Sequence, residues 1–152
     1  MIRIEMKRAF PVPVSQAFAY ITDMSNWAAY WPDFVRIHDP ANAQWGQPGD
    51  TVTIVLKLLN RERDLNMRLE KFRKDTLVTY LSRQRDLPDA WHERHFNARP
   101  DGFEYRLVVA YEPRKGLYGF FDRTVFKRAV AGALHKTIEN LDRVFQQSKL
   151  PA

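Results

Sequence analysis

The chain has no cysteine. That excludes a disulfide framework, a thiolate metal site and a cysteine nucleophile, and it fits a reducing cytoplasm. Glycine is scarce, at six residues, and no glycine-rich loop able to cradle a phosphate or a dinucleotide is present. No Ser-His-Asp order of an acyl-transfer enzyme can be read along the chain. No apolar run approaches the roughly 20 residues that span a bilayer. The opening stretch, Met1-Ile2-Arg3-Ile4-Glu5-Met6-Lys7, alternates apolar residues with charge, unlike a signal or transit peptide. Acid is the minority charge: 18 Asp and Glu face 24 Lys and Arg, for a formal charge of +6. Such a balance can serve nucleic acid or an anionic membrane. The cations are scattered rather than gathered in an arm, so a solvated basic surface is favoured over either partner.

What is present is an ordinary globular composition: 152 residues, 45% hydrophobic and 28% charged, with 13% aromatics. The length suits one domain over residues 1–152, large enough for a real core. Residues 2–10 alternate as a half-buried strand, ended by Pro11 and Pro13. Val14 to Ile21 reads as a short helix, and Asp23 or Ser25 can cap a second one that runs to Tyr30. From Phe34 to Tyr111 the signals are strands and turns. Phe34 to Trp45 reads as one strand broken near Asp39-Pro40, and Thr51 to Leu59 as the next. Asn60 to Arg63 reads as a turn. Leu65, Met67 and Leu69 alternate in the following strand. Strands are also expected at Leu77 to Arg83, Ala90 to Ala98 and Phe103 to Tyr111, the last two joined at Pro100-Asp101-Gly102. Short turns between successive strands imply an antiparallel meander. The class is α+β.

The longest helical signal comes last, from about Leu117 to Gln147. Phe126, Val130, Leu134, Ile138, Leu141 and Phe145 recur at three- and four-residue steps and share one face. One helix of at least five turns is expected, starting between Gly116 and Thr124. A long amphipathic helix that follows a sheet must bury its stripe against that sheet. If the sheet is curved, the two enclose a cavity for a largely apolar small molecule. Gly132, between Ala131 and Ala133, costs the helix about 1 kcal/mol relative to alanine. It serves either close packing or space for a ligand.

The segment Pro13-Val14-Ser15-Gln16-Ala17-Phe18-Ala19-Tyr20-Ile21-Thr22-Asp23-Met24-Ser25-Asn26-Trp27, with the Pro100-Asp101-Gly102 hairpin, resembles the START/Bet v 1-like (SRPBCC) superfamily. The nearest branch is the polyketide cyclase/dehydrase and lipid-transport group. The resemblance spans nearly the whole chain. It implies a helix-grip fold, in which a seven-stranded curved antiparallel sheet wraps around a long C-terminal helix. Two short helices after the first strand close one end. It also implies a cavity that in other members takes sterols, lipids, polyketides, quinones or plant hormones, and in some supports cyclisation or dehydration. Fold alone leaves the function open.

The lining is expected from Tyr30, Trp31 and Phe34 near the short helices and from Leu56, Leu58, Met67, Leu69, Tyr80, Trp91, Tyr105, Leu107 and Val109 on the sheet. Phe120, Phe126, Val130 and Leu134 would complete it from the helix. Trp27 is expected to be structural, and Leu117, Tyr118, Phe120 and Phe121 to cluster at the cavity mouth. The candidates for catalysis lie on one strand. Trp91, Glu93 and His95 share one of its faces, and His92, Arg94 and Phe96 the other. Trp91 argues for the first set inward and Phe96 for the second, so the phase stays open. An inward histidine with a pKa near working pH can act as a general acid or base. No third metal ligand is evident beside these histidines, and neither a metal nor a cofactor is expected. The leading reading is a cytoplasmic binder or carrier of a small hydrophobic molecule. An aromatase/cyclase-type enzyme using the same cavity is the alternative, and a basic module for RNA, ribosome or anionic membrane a further one.

Overall fold

The computed structural model describes residues 1–147. Strand β1 (Ile2–Phe10) leads into helix α1 (Val14–Thr22) and, after one 3-10 turn, the single-turn helix α2 (Trp27–Tyr30). Strands β2 (Phe34–Ile37), β3 (Thr51–Leu58), β4 (Arg61–Arg73), β5 (Leu77–Arg83), β6 (Ala90–Arg99) and β7 (Gly102–Tyr111) follow. Helices α3 (Leu117–Arg123) and α4 (Val125–Gln147) come last. All strands pair antiparallel in one seven-stranded sheet, in the order β1-β7-β6-β5-β4-β3-β2. This is the helix-grip architecture implied by the resemblance.

Curvature comes from irregular pairing. The register slips between Leu69 and Lys71 on β4, and between Phe34 and Arg36 on β2. A bulge adds a residue to one strand, bends it and raises the local twist. On β4 the extra residue also changes the alternation. Leu65, Met67 and Leu69 are buried on odd positions, and after Glu70 it is Phe72 that packs against the core. At the β6–β7 hairpin, Gly102 sits at φ 151°, and a Cβ there would stand 2.0 Å from the Phe10 carbonyl oxygen. No side chain fits that approach.

Three expectations need correction. Trp45 is not part of a strand: β2 ends at Ile37, and Pro40–Asn42 forms a 3-10 turn. The β3–β4 turn is Leu59-Asn60, both at positive φ (54° and 63°), and Arg61 to Arg63 already belong to β4. A leucine in the left-handed region carries strain and no turn signature, so the sequence pointed to the polar residues after it. The C-terminal segment is two helices rather than one. Thr124, at φ −119° and ψ −80°, separates them, and its hydroxyl donates to the Phe120 carbonyl at 2.7 Å. Helix α3 is held by a clip the sequence did not suggest. Arg114 meets the fully buried Asp122 through Nη2 at 2.8 Å and Nε at 3.0 Å, while Tyr111 Oη donates to the Asp122 carbonyl at 2.6 Å. Burial pushes the Asp122 carboxyl up, but the hydrogen bonds from Arg114 outweigh it and hold the group below its ordinary value. Helix α4 alone, at 23 residues, still exceeds five turns.

The core is densest under the C-terminal half of α4. Phe10 and Phe145 meet edge-on at 5.1 Å between ring centres, and Phe18 meets Phe96 at 4.9 Å and Phe72 at 5.3 Å. Ile138 and Leu141 are buried over these rings. Asn140 ties the helix to α2 by donating to the Tyr30 carbonyl at 2.9 Å.

Candidate functional site

Under the N-terminal half of α4 the packing opens into a cleft of about 540 Å³. Its roof is Phe126, Ala129, Val130, Gly132, Ala133 and Leu134 of α4. Its floor is the concave sheet face, with Leu56, Leu58 and Leu65 on one side and Ala90 and Val109 on the other. A Cβ built on Gly132 would meet nothing within 4 Å, so this glycine marks space rather than close approach. Small side chains along that stretch of helix are what keep the cleft open.

The polar groups converge from β5 and β6. Tyr80, Ser82, His92 and Arg94 all face the cleft. The phase of β6 follows from its pairing: His92 lies opposite Tyr80 and Val109, and Arg94 opposite Val78 and Leu107, all on the concave side. Trp91, Glu93 and His95 therefore point outward. Trp91 is 42% exposed, and His95 Nε2 meets Glu93 Oε1 at 2.8 Å on the convex surface, with Arg3 at 3.8 Å from the same carboxylate.

His92 stacks on Tyr80, with ring centres 4.3 Å apart and planes 6° from parallel, and its Nε2 is hydrogen-bonded to Ser82 Oγ at 2.8 Å. Burial, helped by the Arg94 charge, pushes its pKa down to about 3. The ring is thus a neutral hydrogen-bonding group near neutral pH, contrary to the expectation of a histidine titrating there. Arg94 donates to Tyr80 Oη at 2.9 Å and to Tyr30 Oη at 3.4 Å. Its guanidinium carbon stands 5.2 Å from the Trp31 ring centre and 5.3 Å from that of Tyr80. Burial raises the hydroxyl pKa values of Tyr30 and Tyr80 and pushes that of Tyr105 up to about 12, so all three remain neutral. Tyr105 is fully buried beside this cluster, and among the described residues its hydroxyl finds no hydrogen-bond partner of standard geometry. Among the described residues, no three His, Cys, Asp or Glu side chains come together as a metal site would need.

Of the expected lining, Trp31, Leu56, Leu58, Tyr80, Val109, Phe126, Val130 and Leu134 border the cleft. Met67, Leu69, Tyr105 and Leu107 face the same side but are packed in the core. Tyr30 is buried behind Arg94, where its hydroxyl donates to the Ile21 carbonyl at 2.7 Å. Phe34 packs beside Trp31, away from the cleft wall. Trp27 is buried, and its indole donates to the Ile21 carbonyl at 3.2 Å. Trp91 lies on the wrong face, because Phe96 and not Trp91 fills the core. Phe120 is 70% exposed, as are Leu117 at 88% and Tyr118 at 66%. Holding α3 by Asp122 turns those three side chains to solvent. Cleft residues that the sequence did not single out include Ser82 on β5, Gln84 just after it, Thr137 on α4, and Lys57, Arg128 and Lys136.

The sequence profile of the polyketide cyclase / dehydrase and lipid transport family matches residues 1–146. Among solved structures, a protein from Rhodobacter sphaeroides superposes with a TM-score of 0.75 at 15% identity, over 97% of this chain and 93% of its own. A protein from Thermus thermophilus, TTHA0849, gives 0.77 at 12%, over 95% and 97%. The di-domain ARO/CYC StfQ from the steffimycin biosynthetic pathway gives 0.72 at 12%, over 95% of this chain and 50% of its own. At these identities the structures support the fold alone. A comparison with curated proteins gives no sequence match. No described helix is long and apolar enough to cross a membrane.

Proposed function

The chain belongs to the polyketide cyclase / dehydrase and lipid transport family, and we propose that it binds or carries a small hydrophobic molecule in the cleft between its sheet and α4, in the cytoplasm. The observation that carries this reading is the cleft itself. Its volume of about 540 Å³ falls within the range of small-molecule sites, and Leu, Val, Ala and Phe form the largest class of side chains on its walls. Tyr80, Ser82, His92 and Arg94, gathered on β5 and β6, suit a ligand that is mostly apolar with one polar end.

The cyclase reading uses the same cleft and draws on the likeness to StfQ, described as an aromatase/cyclase. A histidine proton relay does not favour it. His92, the inward histidine, is held neutral to about pH 3, and His95 faces away. Carriage is therefore preferred. Nile red, a neutral apolar dye, should bind saturably and be displaced by a hydrophobic competitor. Val130→Trp should fill the cleft and abolish that binding in a chain that stays folded. Undiminished dye affinity in the folded variant would place the ligand elsewhere.

A further inference from the structure

Arg94 is a charge facing the cleft without a counter-charge. Among the described residues, no carboxylate lies within 4.0 Å of its guanidinium. Its partners are neutral hydroxyls and aromatic faces, which ease the desolvation of a cation but do not balance it. The acidic residue on the cleft wall is Asp33, which forms no ion pair with Arg94. The other charges on the wall are Lys57, Arg128 and Lys136, all positive. The cleft therefore has an electropositive wall, with one guanidinium set deep between Tyr80 and Trp31. Arginine keeps its charge at any working pH, so the site cannot relieve the imbalance by losing a proton.

Resting on the binding reading above, we infer that the ligand is a carboxylate: an apolar body in the cleft, with its carboxylate seated on Arg94. The guanidinium carries five N–H donors in a planar fork. The two tyrosine hydroxyls leave donors free for a carboxylate, whose two oxygens match that fork. One guanidinium also balances one negative charge. A phosphate dianion would leave excess charge in an apolar surround, with the remaining cations on other parts of the wall. Neutral His92, held by Ser82, adds a hydrogen-bonding group beside the anion without competing for it.

Dodecanoate, 1-dodecanol and dodecylammonium share one alkyl chain and differ only in the head. Displacement of Nile red by each, with wild type and with Arg94→Gln, tests the assignment. In the wild type, dodecanoate should bind at least about tenfold tighter than 1-dodecanol, with dodecylammonium weakest, since hydrogen bonds to an ionised partner are stronger than those to a neutral one. In Arg94→Gln the affinities for dodecanoate and 1-dodecanol should converge, chiefly through loss of the dodecanoate affinity. Equal affinities in the wild type would overturn the inference and leave the cleft as an apolar binder. A preference that survives in Arg94→Gln would overturn it too, assigning the selectivity to Lys57, Arg128 or Lys136. Displacement by none of the three would overturn the binding reading and this inference with it. Carboxyl-labelled dodecanoate followed by carbon NMR on the wild type needs no variant. Its bound carboxyl should titrate below the free acid, and an unshifted or raised midpoint overturns the assignment.

Discussion

Along one helix, α4, two kinds of interior lie side by side. Its C-terminal half carries Ile138, Leu141 and Phe145, which interlock with the phenylalanines of β1, β6 and β7. Its N-terminal half carries Ala129, Gly132 and Ala133, and the sheet beneath is separated from it by the cleft. The sheet is continuous under both halves, so side-chain volume on the helix makes the difference. At the packed end, large rings fill the space between the layers, and every apolar atom lost there leaves a void. At the hollow end the space already exists, and the polar groups of β5 and β6 face into it. Phe126 anchors the start of the helix on Tyr111, so the hollow stretch lies between two packed ones, and recognition is confined to it.

The largest test of that contrast is a pair of truncations. Leu141 is fully buried, so Leu141→Ala should destabilise by about 2–5 kcal/mol through lost transfer energy and a cavity. Leu134 is half-buried and borders the cleft, so Leu134→Ala removes fewer contacts and should cost about 1–2 kcal/mol. Urea denaturation of both variants measures the gap. Equal losses would mean that α4 packs alike along its length.

Enlargement reverses the test. Ala17 on α1 is fully buried at the packed end, and Ala17→Phe should cost about 1–3 kcal/mol or more. Val130→Trp places a larger ring over the cleft and should change stability by less than about 1 kcal/mol, while Nile red binding is lost. A Val130→Trp chain as unstable as Ala17→Phe would show that the space does not persist in solution.

Much of this division was legible in the residues, and the exceptions have physical causes. The helix stripe, the alternating strands and the Pro100-Asp101-Gly102 turn gave the fold. Gly132 and its alanine neighbours pointed to the hollow half but fitted close packing as well, since a residue pattern cannot say how far away the opposite layer lies. The phase of β6 stayed open because Trp91 and Phe96 are both large and alternate in opposite senses. The missing signal was available in the turn. The hairpin pairs Arg99 with Gly102, which sets Phe96 opposite Tyr105, Arg94 opposite Leu107 and His92 opposite Val109. The apolar face of β7 was plain, so counting back through the hairpin turns Arg94 and His92 inward. The Arg114–Asp122 clip and the left-handed Leu59 had no such signal. One is a tertiary pairing, and the other is a turn residue with an apolar side chain.

The next test separates the two ends by pH. Folded His92 remains neutral down to about 3, whereas an unfolded histidine protonates below about 6.5. Below 6.5 the unfolded state takes up the extra proton, so this residue lowers stability as pH falls, until its folded form titrates near 3. Between pH 7 and pH 5 the wild type should lose about 1–2 kcal/mol more than His92→Gln, which keeps a hydrogen-bonding group near Ser82 and removes the titration. Thermal melts at the two pH values report the difference. An identical loss in both proteins would mean that His92 is solvated and that the cleft wall does not exclude water from it.

The smallest effects belong to the other side of β6, where they set inside against outside. His95 is paired with Glu93 on the convex surface, where both side chains are half-buried at the solvent boundary and surface pairs contribute between about 0 and 1 kcal/mol. His95→Ala should therefore change stability by less than about 1 kcal/mol and leave the affinity for Nile red or dodecanoate unaltered. His92→Ala, three residues earlier and facing the cleft, loses the stacking on Tyr80 and the bond to Ser82. It should weaken dodecanoate binding several-fold, in keeping with one lost hydrogen bond of about 1 kcal/mol. Only one of these residues can face the ligand, because an odd separation along a strand puts the two side chains on opposite faces. Titrating both variants with dodecanoate compares the two faces of β6 directly. A loss in His95→Ala with none in His92→Ala would reverse the phase of the strand, turn Arg94 out of the cleft and remove the proposed carboxylate anchor with it.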